Sequence, residues 1–291
     1  MSRDAGVRHV VSAALAGAGV TVDHHDALPA DTDGAALLVV DKATREHAGD
    51  ALRSAAVPVV VVGDDLDDDG LITLMIEAPV SHLIGDPASS RDLGITSEKL
   101  VSGDLFGLEK YLAPGTRVGE RAINDEAAKR AAIAEVCAWA ESVGARRPII
   151  HRLTSVVDEL LMNALIDAPR ESQPTLAYTP GGTIDPLQQR VVLRWGSDGT
   201  QLAVSVTDGF GAIRQRDVID HVRRARDERG RPNPDDPGAG LGLYLVLANV
   251  ASLIVNVDPN RRTEVICLFE LVRDGRRAIT STVRSLHVFS A

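Results

Sequence analysis

The chain has 291 residues, 44% hydrophobic and 25% charged, which suits one large or two ordinary globular domains. Aromatics make up only 3%, so the cores must be built from Val, Leu, Ile and Ala. A net charge of −10 argues against nucleic acid and anionic membrane surfaces as partners. The two cysteines, Cys137 and Cys267, lie far apart, and no CxxC or Cys/His spacing accompanies them, which argues against zinc and a disulfide framework. The N-terminus lacks the apolar core of a signal peptide, and no run of 18 apolar residues occurs, so a cytoplasmic protein without a membrane span is expected.

In chain order, residues 7–18 read as a helix, 20–24 as a short strand and 35–40 as a buried strand ending in Asp41. A helix over 45–55 follows, then a strand over 57–62 too short and too β-branched for a helix. A short helix over 71–77 and a strand over 80–84 complete the N-terminal part. The acidic run 64–69 reads as a solvated loop and helix cap, with calcium binding as the alternative. Such strand–helix alternation predicts a parallel sheet with helices on both faces. Pro114 and Gly115 interrupt two helical patterns, so domains are expected over 1–112 and 113–291.

The second domain predicts helices over 120–143 and 148–168, the latter stopped by Pro169. Strands over 190–195 and 201–207 flank a GSDGT hairpin signal. A charged helix over 215–229, a proline-rich polar loop, a helix over 241–251 and strands over 253–257 and 263–272 follow. The C-terminal tail alternates apolar and polar residues like an edge strand that could dock on the sheet or on a partner.

Three stretches carry chemistry. In DELLMNAL, Glu159 and Asn163 stand four apart on one helix face. A carboxylate there suits a general base, and a carboxamide oxygen suits Mg²⁺; a solvated helix edge is the plain alternative. In VSVTDGFGAI, a strand runs out into Asp208, and Gly209, Phe210 and Gly211 make the turn. A buried carboxylate there needs a donor such as a purine amine; an ordinary Asx turn is the alternative. In PGAGLGLYLVLANV, Gly238, Gly240 and Gly242 alternate into a helix, the arrangement in which backbone amides approach phosphates. The polar loop before it argues against a dinucleotide fingerprint, and no glycine is followed by lysine as a Walker loop requires.

The order of these pieces over about residues 115–272 resembles the GHKL ATPase superfamily, nearest to the anti-sigma-factor serine kinase type because its box reads DELLMNAL. The resemblance implies a Bergerat-type α/β two-layer sandwich that binds ATP and Mg²⁺. It implies Glu159 as general base, Asn163 as Mg²⁺ ligand and Asp208 as acceptor for the adenine amine. Gly209, Phe210 and Gly211 would form the turn beside the base, Gly238, Gly240, Leu241 and Gly242 would line the triphosphate, and loop 229–237 would close as a lid. The implied role is a bacterial signalling protein that phosphorylates or sequesters a protein partner, such as a sigma factor or anti-anti-sigma protein, with pairing as a homodimer also implied. The sequence departs from the family at Phe210 and Ala212, where glycines are usual, and at Asp167, often a basic position. No phosphoacceptor histidine helix is visible, which disfavours a complete sensor histidine kinase. A catalytically silent scaffold, nucleotide-dependent or nucleotide-free, is the alternative function.

Val39-Val40-Asp41 resembles the phosphoacceptor strand end of response-regulator receiver domains, with a flavodoxin-like parallel sheet implied. That resemblance marks Asp41 as a candidate phosphorylation site. The acidic pair, the Ser/Thr and the lysine of a working receiver are missing, so the reading is a degenerate receiver-like interaction domain.

Overall fold

The computed structural model describes residues 1–16, 20–29, 32, 34–53, 55–63, 80–85, 90–169, 191–214, 217–218, 241–271 and 285–291. The expected helix at 71–77, nearly all of the one at 215–229, the acidic run 64–69, the loop 229–237, Gly238 and Gly240 lie outside these residues. The protein is α/β, and its chain divides into two compact units. Unit 1 is Met1–Leu105 with Thr282–Phe289, and unit 2 is Phe106–Ser281 with Ser290–Ala291.

The chain begins with α1 (Ala5–Ala16), β1 (Leu38–Asp41), α2 (Lys42–Arg53), β2 (Val59–Val62), β3 (His82–Ile84) and α3 (Ser90–Ser102). There follow β4 (Val118–Ile123), α4 (Glu126–Ser142), α5 (Arg147–Met162), β5 (Val191–Ser197) and β6 (Gln201–Asp208). The last elements are α6 (Leu241–Asn249), β7 (Ser252–Asp258), β8 (Arg262–Glu270) and β9 (Ser285–Ser290).

In unit 1, β1, β2 and β3 run parallel, and β9 pairs antiparallel with β3. The end of the C-terminal tail thus forms a strand docked on this sheet, but Ser285–Phe289 are buried in succession, not alternately as an exposed edge strand would be. All four valines of β2 are buried, the pattern of a strand covered on both faces. Val11, Leu15, Val60, Val62, Ile84 and Leu93 form one core cluster. Two expectations are corrected here. Residues 20–24 form no strand; Val20 and Val22 pack on the core, but the edge of β1 is taken by Met1, whose carbonyl accepts from Asp41 N at 3.2 Å. Helix α3 was not predicted, because SRDLGITSEKLVS mixes glycine and hydroxyl residues and buries Thr96, Ser97 and Lys99 rather than an apolar stripe.

In unit 2 the five strands are antiparallel throughout, in the order β7-β8-β6-β5-β4. Helix α5 packs on β6 and β8, α6 on β7 and α4 on β4. The single helix expected over 120–143 is instead a strand followed by a helix. Residues 118–123 are extended on β5, where Glu120 stands opposite Arg194 and pairs with its guanidinium at 3.2 Å. Asp125 then caps α4 by accepting from Ala128 N at 2.7 Å, so the helix starts after the strand rather than through it. The next expected helix is found as α5, and the hairpin as β5 and β6.

The segment after Leu105 is tied to unit 2, which places the division before the expected 112/113. Gly107 N donates to the buried Glu264 at 2.9 Å, Arg262 lies 3.6 Å over the Phe106 ring, and Glu109 pairs with Arg194. Helices α4 and α5 are joined by Lys129, 4% exposed, whose ammonium lies 2.7 Å from Asp158. Asp158→Asn leaves that ammonium with Glu126, at 4.0 Å, as its remaining ion-pair partner among the described residues. The expected loss is about 1–2 kcal/mol in urea denaturation, discounted because Asp158 is half exposed.

Candidate functional site

Helix α5 carries Glu159 and runs into a π-helical turn, Asn163–Asp167. Such turns shift the side-chain phase of a helix and collect at functional sites. Here the turn brings a second carboxylate onto the face of Glu159. Oriented to satisfy its neighbours, the Asn163 amide nitrogen donates to Glu159 Oε1 at 3.2 Å and to Asp167 Oδ2 at 3.1 Å. The carboxamide oxygen is the atom left to face a cation.

Burial raises the Glu159 carboxyl above the usual carboxylate range, and the charges of Asp167 and Asp158 push it further. The Asn163 hydrogen bond and Lys129 pull the other way. A base at Glu159 therefore loses activity at a higher pH than a solvated glutamate when the solution is acidified.

The start of α6 presses on the same carboxylate. A Cβ on Gly242 would sit 1.7 Å from Glu159 Oε1 and 2.5 Å from its carboxyl carbon. No side chain fits there, so the glycine is what lets the first turn of α6 approach the acid. Leu241 opens this helix. Gly242, distant along the chain, is thus brought to the Glu159–Asn163 pair.

Asp208 ends β6 opposite Thr263 and is 5% exposed. Its Oδ1 accepts from Phe210 N at 2.8 Å and Gly211 N at 3.3 Å. Burial raises its pKa to about 6, against the pull of those two N–H groups. Helix α5 and the π turn both pack on β6, so the elements carrying Glu159, Asn163 and Asp208 are neighbours. Gly209 is exposed, whereas Phe210 is buried.

Gly211 has its own structural reason. Its φ is 58°, and a Cβ would lie 2.2 Å from Asp258 O and 2.7 Å from Arg261 N. Its carbonyl accepts from Asn260 N at 3.1 Å, which locks the D-G-F-G turn against the β7–β8 turn. Gly211→Ala meets backbone rather than a flexible side chain and is expected to destabilise unit 2 by about 2 kcal/mol, read by chemical denaturation.

Asp41 lies elsewhere, in unit 1, and caps α2 by accepting from Thr44 N at 2.6 Å. Burial would raise its carboxyl, but the hydroxyls of Ser2 and Thr44 and the α-amino group outweigh that and hold it below the usual range. It borders a cavity of 520 Å³ with Arg3, Asp26, Leu28 and His47. Asp4 and Asp26 are committed to capping α1 and pairing Arg8.

Sequence reading missed Asp167 and Lys129 as neighbours of Glu159. The i, i+4, i+8 spacing of Glu159, Asn163 and Asp167 carried the first signal; nothing local marked Lys129. Among the described residues, no three His, Cys, Asp or Glu side chains form a metal cage. Nor is any helix among them long and apolar enough to cross a membrane. No protein-family model matches the chain, and no curated protein matches it significantly.

Proposed function

We propose that unit 2 is an ATP·Mg²⁺-binding domain of the GHKL type that phosphorylates or sequesters a protein partner in bacterial signalling, as anti-sigma-factor serine kinases do. The observation that carries the reading is the contact of Gly242 with Glu159, which sets a glycine-led helix start against a candidate base. The antiparallel sheet with α4, α5 and α6 in this order also fits a Bergerat-type sandwich. Unit 1, with its parallel β1-β2-β3, would be the degenerate receiver-like partner-binding part, and Asp41, used as a cap, is its phosphorylation candidate. A cytoplasmic location, a sigma-factor or anti-anti-sigma partner and homodimer formation accompany the proposal.

The residues fit the chemistry as follows. Mg²⁺, held by the Asn163 carbonyl and by phosphate oxygens, would neutralise charge on the transferring group; a site with one protein ligand is ordinary for this ion. Asp208 accepts from the adenine amine in place of water. Backbone N–H groups of Leu241 and Gly242 at the start of α6 would line the triphosphate; Gly238 and Gly240, expected beside them, lie outside the described residues. Glu159 takes the proton of the attacking serine or threonine hydroxyl as its oxygen bonds to the γ-phosphorus, and the bond to the β-phosphate oxygen breaks to release ADP.

A second reading is favoured by the buried Phe210 in the adenine turn: a scaffold that binds its partner without turnover. Transfer of labelled γ-phosphoryl from ATP, with Glu159→Gln as control, tests the kinase. Transfer that disappears in the variant supports it. Nucleotide binding without transfer leaves the scaffold.

A further inference from the structure

Unit 1 contains a sealed polar cluster that the nucleotide reading does not use. Strands β3 and β9 place His82 directly opposite His287, with ring centroids 5.6 Å apart. The Phe289 ring lies 4.5 Å from His82 and 5.9 Å from His287. Helix α3 supplies the rest: Asp92 Oδ1 is 3.3 Å from His287 Nε2, Thr96 Oγ1 is 3.5 Å from the same nitrogen, and Lys99 Nζ stands 3.7 Å over the Phe289 ring. The other neighbour of β3 is β2, which contributes only valines. His82 is 3% exposed, Lys99 1% and His287 0%. The Nδ1 atoms of both histidines are buried without a hydrogen-bond partner.

The one carboxylate described in the cluster, Asp92, lies against His287 rather than against His82. A positive charge on the buried His82 ring would have no anion beside it among the described residues. The ladder between β3 and β9 has three residue pairs, and the His82, His287 and Phe289 rings pack across it.

We propose that His82, packed on His287 and Phe289, is an acid-sensitive latch: it holds the C-terminal strand on β3 at neutral pH and releases that strand when its ring takes a proton. Burial keeps the His82 imidazole well below its ordinary value of 6.5, and His287 and Lys99 add to the effect. Because the folded value lies below the unfolded one, the latch is fully closed above about pH 6.5 and weakens as pH falls below it. While the open form alone binds the proton, the opening constant rises about tenfold per pH unit.

The test is hydrogen exchange by mass spectrometry on the full chain between pH 7.5 and 5.5, corrected for intrinsic rates. It compares peptides from β9 with peptides from the β5–β6 hairpin. The latch requires β9 opening to rise about tenfold per unit below about pH 6.5 while the hairpin stays protected, and His82→Phe to flatten the rise. If His82→Phe does not fold, His82→Gln, which keeps polarity without titrating in this range, takes its place. Opening of β9 that is independent of pH, or that rises equally in the non-titrating variant, overturns the proposal.

Discussion

Gly242→Ala is expected to leave the protein folded and to lower phosphoryl transfer about 100-fold. The added methyl would fall 1.7 Å from Glu159 Oε1, a contact that cannot persist. The atoms in its way are the far end of a flexible side chain, so Glu159 swings aside and the backbone stays. The displaced carboxylate then leaves its Asn163 partner, 3.2 Å away in the wild type. Misplacing a catalytic group by about 1 Å can cost about 100-fold in rate. Thermal melting close to wild type with transfer lost is the expected pair of results. Unchanged transfer would mean that Glu159 does not act where the structure holds it.

Asp208→Asn is expected to weaken ATP binding by about 10–100-fold at pH 7.5. A hydrogen bond to a charged acceptor contributes about 1.5–3 kcal/mol, and each 1.4 kcal/mol is tenfold in affinity. The same substitution should remove a pH dependence. With a folded value of about 6, Asp208 must be ionised to accept fully from an amine, so wild-type affinity falls as pH drops through about 6. Stability runs the other way. The folded value lies above the ordinary 3.8, so the native state holds the proton more tightly. The contribution of Asp208 to stability is therefore full below about 3.8 and is lost as pH rises through about 6. Subtracting the variant's denaturation curve from that of the wild type at pH 4.5, 6 and 7.5 isolates this contribution from those of other carboxyls.

Much of the fold could be read from short-range pattern. The valine run of β2 and the hairpin around GSDGT each carry their period and turn chemistry locally. Strand β4 was read as helix because VGERAI sits beside a strong helical stretch, and its extended form depends on cross-strand partners, Arg194 above all. Helix α3 hides its character by burying Lys99 and two hydroxyl residues; β9 brings His287 to Thr96 and Phe289 beneath Lys99. The 20–24 segment had strand composition but no free edge to join.

The candidate site divides in the same way. Glu159 with Asn163, and Asp208 at a strand end, were visible as spacings on single elements. The meeting of Glu159 with Gly242 was expected only through a family resemblance, because no local rule links residues so far apart. The π turn, which draws Asp167 onto the Glu159 face, left no mark beyond the i+8 spacing. Gly211, expected beside the nucleotide from the resemblance, also has a reason within the fold: its φ of 58° and the backbone of the β7–β8 turn packed against it.

Titration calorimetry of ATP and of GTP against the full chain, with Mg²⁺ present, tests the central claim most directly. If the Glu159–Asn163–Gly242 contact and Asp208 frame one adenine-nucleotide site, ATP binds once per chain. GTP, which offers an oxygen where adenine carries its amine, then binds far more weakly, and Asp208→Asn erases the difference. Saturable heat that is equal for the two nucleotides and untouched by the variant, or no heat with either, contradicts it.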